Sequence, residues 1–262
     1  MFVLIIMLIS TINSEPIGSN NHNIASYILN NIDSLEQESI SSIANECYVS
    51  NSSISRFCRH IGLKDFNELK DQIKKYREIN SNKFHYEDKN EKDYIDSYIN
   101  QMIENMMLVK NSLDIEKINN LVNDIHQYEN IYAFGCLQSS YAALNLQADM
   151  ITNGKIITTG LNILDQINFI DHSDENDLII IFSKSGKYFE YAYRDYIPKF
   201  EKNNSKIYMI TMNDHILKYP FIDEIIYYDC KEDYSSHPYP LHTISSLISL
   251  IYSDTHVKVK KS

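Results

Sequence analysis

A chain of 262 residues and 30.6 kDa is long enough for one large domain or two modest ones. Hydrophobic residues make up 44% and charged residues 23%, which is ordinary globular usage and excludes disordered, collagen-like and low-complexity classes. The net charge of −11 excludes a surface coated uniformly in positive charge for nucleic acid.

The longest apolar run, Phe2 to Ile9 and loosely on to Ile12, falls short of the roughly 20 residues that span a bilayer, so no membrane association is expected. No Lys or Arg precedes it, and Thr11 to Glu15 holds no clear small-x-small cleavage site. It therefore reads as a buried first helix ahead of a secretion signal. Cys47, Cys58, Cys136 and Cys230 lie far apart with no CxxC pair. They imply neither a zinc site nor a disulfide framework, and they suit a reducing cytoplasm; no metal and no cofactor is expected.

Charge is segregated along the chain. Residues 1–49 contain no Lys or Arg and five acids. Residues 50–77 hold seven basic residues (Arg56, Arg59, Lys64, Lys70, Lys74, Lys75 and Arg77) against three acids, a net +4, and the remainder is acidic again. One basic island in an acidic chain needs a local reason.

From Asn23 to about Lys75 the pattern is one of short helices. Ile24, Tyr27, Ile28 and Ile32 recur at helical spacing, as do Ile40, Ile43 and Ala44. Ile40 to Glu46 forms one helix, Cys47-Tyr48-Val49 a turn, and Ser50 to His60 a second helix closed by Gly62, a helix-turn-helix spacing. Ile54, Phe57, Cys58 and Ile61 make one apolar stripe on the second helix. Asn80 to Asp93 is polar and without period, a linker. Tyr94 to Val109 and Ile115 to Tyr128 are amphipathic helices.

At Asn130 the period changes. Ile131 to Gly135 is a short apolar strand, Gln138 to Asn153 a helix, Lys155 to Thr158 a strand, and Asn162 to Ile170 a helix. Leu178 to Phe182 is an almost wholly apolar strand, Tyr188 to Lys202 a helix, Ile207 to Ile210 and Glu224 to Tyr228 strands, and Leu241 to Ser253 a closing helix. Strands apolar throughout are buried on both faces, so the second half is expected to be a doubly wound parallel α/β sheet.

Two regions carry chemistry. On the second helix of the basic island the stripe leaves Ser50, Asn51, Ser52, Ser53, Ser55, Arg56 and Arg59 to face outward, with Lys64 just beyond. Short polar groups at a helix N-terminus suit close approach to phosphate and base edges, and arginines one turn apart reach a base edge or the flanking backbone. The plainer alternative is a solvated helix face.

The second region consists of two strand-end loops, Gly135-Cys136-Leu137-Gln138-Ser139-Ser140 and Ser183-Lys184-Ser185-Gly186-Lys187-Tyr188. Ligands of such sheets gather at the carboxyl ends of strands, and serine hydroxyls with backbone N–H groups at helix starts favour anions, phosphate above all. One such loop could be ordinary capping; two point to a phosphate ester. GxGxxG and Walker A loops are both absent.

These segments resemble the RpiR/MurR type of bacterial transcriptional regulator over nearly the whole chain. The residues that carry the likeness are Ser50 through Arg56-Phe57-Cys58-Arg59 and Gly62, continuing in Phe66-Asn67-Glu68-Leu69-Lys70. In the second half they are Ile131 to Gly135 with Ser139-Ser140, and Ile179 to Phe182 with Ser183-Lys184-Ser185-Gly186.

The resemblance implies an all-helical helix-turn-helix domain (1–78), a linker and connecting helix (79–108) and a SIS, or sugar isomerase, domain (109–262). It implies double-stranded operator DNA and a sugar phosphate effector as partners, and a homodimer or homotetramer. Gln138, Ser139, Ser140, Ser183, Lys184, Ser185, Gly186 and Lys187 would hold the effector.

Three positions depart from the family pattern: Leu137 replaces the usual second glycine of the first loop, Tyr188 the usual threonine after the second, and Asp65 the usual glycine before Phe66. Lys187 would supply charge that Tyr188 does not.

Two rival readings follow from the same residues. The SIS fold also serves phosphosugar isomerases, which need a base such as Glu or His at the sugar carbons. Glu232, Asp233, His237, His242, His172 and His215 fall in no catalytic pattern; His237 reads as a loop residue, and an attached helix-turn-helix has no use in a plain isomerase. The other reading is a SIS module that has lost its ligand and serves only oligomerisation, suggested by Leu137 and Tyr188.

Overall fold

The computed structural model describes residues 3–79, 94–189, 204–213, 219–232 and 237–257. They divide into two units: residues 1–83 with 161–167, and residues 84–160 with 168–262. Among the described residues no helix is long and apolar enough to cross a membrane.

The first unit is helical. Helix α1 (Val3–Ser14) buries Leu4, Ile6, Met7 and Leu8, as its apolar run predicts, and packs on α2 (Asn20–Asn30), which buries Ile24 and Ile28. A short 3₁₀ turn leads to α3 (Ile40–Glu46) and α4 (Asn51–His60), which pack together, and α5 (Phe66–Ile79) follows. Serines open the helices for a shared reason: the Ser19, Ser39 and Ser50 hydroxyls accept the N–H of His22, Ser42 and Ser53, donors that lack an intrahelical partner.

The second unit is a parallel sheet flanked by helices. In chain order it holds α6 (Tyr94–Ser112), α7 (Ile115–Gln127), β1 (Asn130–Gly135), α8 (Ser140–Thr152), β2 (Asp177–Phe182), β3 (Lys206–Thr211), β4 (Glu224–Tyr227) and α10 (Tyr239–His256). Helix α9 (Ile163–His172) enters it from Asn168 onward. The four strands run parallel in the order β1-β2-β3-β4, with Gly135 beside Phe182 and Phe182 beside Ile210.

Side chains alternate across each strand. Ile131 and Ala133 of β1 join the core formed with α7, α8 and α10, while Tyr132 and Phe134 stack on Phe169 of α9 at 5.4 and 6.2 Å. Every residue of β2 is buried, which explains its unbroken apolar run.

One expected strand does not form. Between Gly154 and Gly160 the chain touches the sheet at a single bridge, where Thr158 pairs with the free side of β1 opposite Tyr132. The Gln147 side chain donates to the Ile157 carbonyl at 2.8 Å, and Ile156 faces solvent. That bridge still puts backbone on the far side of β1 from β2, so the winding changes direction at β1. The linker expected over Asn80 to Asp93 lies outside the described residues, as does the helix expected at Tyr188 to Lys202 beyond its start at Tyr188 and Phe189.

Candidate functional sites

In the helical unit α4 separates its faces as its sequence predicts. Ile54, Phe57 and Cys58 are fully buried, whereas Ser50, Asn51, Ser52, Arg56, Arg59 and Lys64 are exposed and Ser53 and Ser55 half-buried. The polar residues are partly organised by hydrogen bonds among themselves and to α3. Asn51 Nδ2 donates to Ser41 Oγ at 3.0 Å, tying α4 to α3, and Arg56 Nη2 donates to Ser53 Oγ at 3.2 Å. Burial pushes the thiols of Cys47 and Cys58 up to about 11, so both stay protonated and act as core.

The turn between α3 and α4 holds a residue that the sequence reading passes over. Val49 N–H donates to Ala44 O and Tyr48 N–H to Asn45 O, the bond pair of a Schellman motif. The same pair closes α4, from Leu63 to Cys58 and from Gly62 to Arg59. The left-handed position is glycine in the second motif (Gly62, φ +81°) but tyrosine in the first (Tyr48, φ +55°). Tyr48 is 97% exposed, so packing does not account for a bulky side chain in that conformation.

In the sheet unit the two serine loops follow β1 and β2, whose last residues are register partners. After Gly135 the chain makes a 3₁₀ turn, Leu137–Ser139, directly into α8. Leu137 has φ +51°, so the position that holds glycine in the resembled pattern does need glycine-like backbone here. Ser139 is buried, Gln138 exposed, and the Ser140 hydroxyl is spent on Leu137 O at 2.6 Å, closing the turn.

The second loop is latched to the end of β3. Lys184 O accepts from Met212 N and Thr211 Oγ1, each at 3.1 Å, and Ser185 O accepts from Asn213 Nδ2 at 3.0 Å. Ser183 N–H donates to Ile210 O, continuing the sheet, and Gly186 N–H closes the turn on Ser183 O with φ +70°. Among the described residues neither the Ser183 nor the Ser185 hydroxyl has a partner. Lys187 is exposed, and Tyr188 is buried with its ring edge-on to Phe189 at 5.2 Å.

His237, a loop residue by its sequence neighbours, brings Nε2 to 3.3 Å from Ser139 Oγ. No sequence signal links residues 98 positions apart; the sheet topology does. Burial pushes the Cys136 thiol up to about 12, which removes it as a nucleophile at neutral pH. Asp233 and His215 lie outside the described residues.

Residues 8–83 match the helix-turn-helix domain of the rpiR family. The HTH-type transcriptional regulator HexR of Escherichia coli (strain K12) is 25% identical over 178 residues, covering 66% of this chain. The match spans only 61% of HexR's own length. Among solved structures, Vibrio vulnificus NanR complexed with ManNAc-6P superposes with a TM-score of 0.53 at 16% identity, covering 97% of this chain and 92% of NanR. The sugar isomerase domain of an RpiR transcription factor from Sphaerobacter thermophilus gives 0.50 at 16% identity, covering 62% of this chain and 90% of that one. At those identities the likeness is one of fold.

Proposed function

Because residues 8–83 match the helix-turn-helix domain of the rpiR family, we propose that the chain is a DNA-binding transcriptional regulator that senses a sugar phosphate. The observation that carries this reading is α4, whose buried stripe leaves Ser50, Asn51, Ser52, Arg56 and Arg59 exposed at the front of one basic island. In this reading α4 enters the major groove, Asn51 and the serines meet base edges and phosphate, and Arg56, Arg59 and Lys64 hold bases or backbone. Tyr48 joins them, its phenol donating to a phosphate. Regulation, not catalysis, is the role, exercised in the cytoplasm on double-stranded operator DNA by a homodimer or homotetramer.

The effector half rests on the strand-end loops. The Ser183 and Ser185 hydroxyls would take the phosphate oxygens with Lys187 supplying charge, and Gln138, Ser139 and Ser140 would line the other side with Lys184 and Gly186 shaping the turn. Residues 1–78 would read DNA, 79–108 connect, and 109–262 sense. A sugar phosphate shifts DNA affinity only by its differential affinity for the two states.

The test is a gel shift on the chain's own upstream DNA across a salt series, wild type against Arg56→Ala. Wild type is expected to lose affinity steeply with salt and Arg56→Ala to bind about ten-fold more weakly or worse. Salt-insensitive or absent wild-type binding defeats the regulator reading. The Ser139–His237 contact favours one second reading, a phosphosugar isomerase with His237 as base. Interconversion of aldose and ketose phosphates followed by NMR, absent in His237→Gln, would establish it.

A further inference from the structure

Among the described residues, the packing of helix α6 is on one side. Asn105 and Val109 are buried, Asn105 Oδ1 accepts Lys231 N–H at 2.9 Å, and Tyr98 meets Tyr239 of α10 edge-on at 6.5 Å. On the other side Ile95, Ile99, Ile103 and Met107 recur every four residues and stand 75%, 44%, 55% and 49% exposed. An uncovered apolar ridge of this length marks a contact surface.

The charges on the ridge say what covers it. Asp96 and Lys110 are both exposed and lie seven residues before and after Ile103. At about 100° per residue each comes within about 20° of the Ile103 direction, so the face reads acid, isoleucine, base along its length. A second copy laid antiparallel, with a two-fold axis beside Ile103, sets Asp96 of either copy level with Lys110 of the other. The same operation brings Ile99 level with Met107 and Ile103 against itself. A parallel pairing would instead set Asp96 on Asp96 and Lys110 on Lys110. A surface complementary to itself under a two-fold rotation is what an isologous dimer requires.

We infer that α6 is the seam between two copies of this chain, antiparallel and centred on Ile103. The inference stands apart from the DNA and effector readings, because pairing is read by mass.

Sedimentation velocity of the full chain tests it, with wild type, Ile103→Asp, Asp96→Lys, Lys110→Asp and the Asp96→Lys/Lys110→Asp double reversal. Wild type is expected to sediment as an even multimer and Ile103→Asp at half its mass. Each single reversal should weaken pairing about ten-fold and the double reversal restore it. Ile103→Cys should form a disulfide-linked dimer on oxidation while wild type does not. A monomeric wild type, or an Ile103→Asp variant that keeps the wild-type mass, overturns the inference. Should circular dichroism show Ile103→Asp misfolded, the charge pair decides: restoration supports the seam, and a double reversal no better than the singles refutes it.

Discussion

Gly135 and Ser139 pass so close that a Cβ on the glycine would lie 2.7 Å from the carbonyl carbon and oxygen of Ser139 and 2.9 Å from Ser140 N. All of these are backbone atoms and cannot swing aside, so any side chain at 135 displaces the whole first loop. Gly135→Ala is expected to cost about 1–3 kcal/mol of stability and to abolish sugar phosphate binding. Urea unfolding measures the first effect and calorimetry with a panel of sugar phosphates the second. Undiminished binding would mean that the loop does not contribute to the ligand site.

Tyr48 separates stability from function. Left-handed backbone costs a non-glycine residue about 1–2 kcal/mol, so Tyr48→Gly should raise the melting temperature, while Tyr48→Phe leaves it unchanged. Both should weaken binding to upstream DNA if the phenol meets a phosphate. A Tyr48→Gly chain that is both more stable and equally tight would remove Tyr48 from the interface.

Asp124 ties α7 to β3. Its Oδ2 accepts from the Tyr208 hydroxyl at 2.5 Å and pairs with Lys206 Nζ at 2.6 Å. Burial works against the Lys206 charge, but the Asp124 carboxylate outweighs it and raises the pKa; burial first, then Asp124, pushes the Tyr208 phenol up. An amide in place of the carboxylate removes the charge that pairs with Lys206 and leaves the buried Tyr208 hydroxyl a weaker, uncharged acceptor. Asp124→Asn should therefore cost about 2 kcal/mol, read as a lower urea midpoint with no change in slope.

The end of α10 gives a pH dependence of known sign. Burial and then the His126 ring, stacked at 4.1 Å, hold His256 below its usual 6.5. Between the lowered value and 6.5 the unfolded chain binds more protons, so stability rises with pH there, is complete above about 6.5 and is lost on acidification. His256 Nε2 also meets Asn123 Oδ1 at 3.2 Å, and Tyr252 packs beside it. His256→Gln should flatten the acid limb of melting temperature against pH; an unchanged limb would place the titration elsewhere.

Where local chemistry decides, the sequence was legible. Ile40–Glu46 and Asn51–His60 follow from capping serines and an apolar stripe, and the unbroken run at 178–182 marks a strand buried on both faces. Lys155 to Thr158 misleads because the segment meets β1 at one bridge only, at Thr158, and leaves Ile156 facing solvent. Of the candidate site, the serines are visible as residue types, but their division of labour is not. Ser140 is consumed by its own turn, while the Ser183 and Ser185 hydroxyls have no partner among the described residues. The left-handed backbone at Tyr48 and Leu137 and the approach of His237 to Ser139 arise from the folded chain.

The latch between the second serine loop and the tip of β3 reaches beyond its own bonds. With the Lys184 and Ser185 carbonyls already committed, the loop holds a fixed shape, and little ordering entropy would be lost if it bound the proposed anion. Selection should then weigh as heavily on Thr211 and Asn213, which need never meet a ligand, as on the hydroxyls that would.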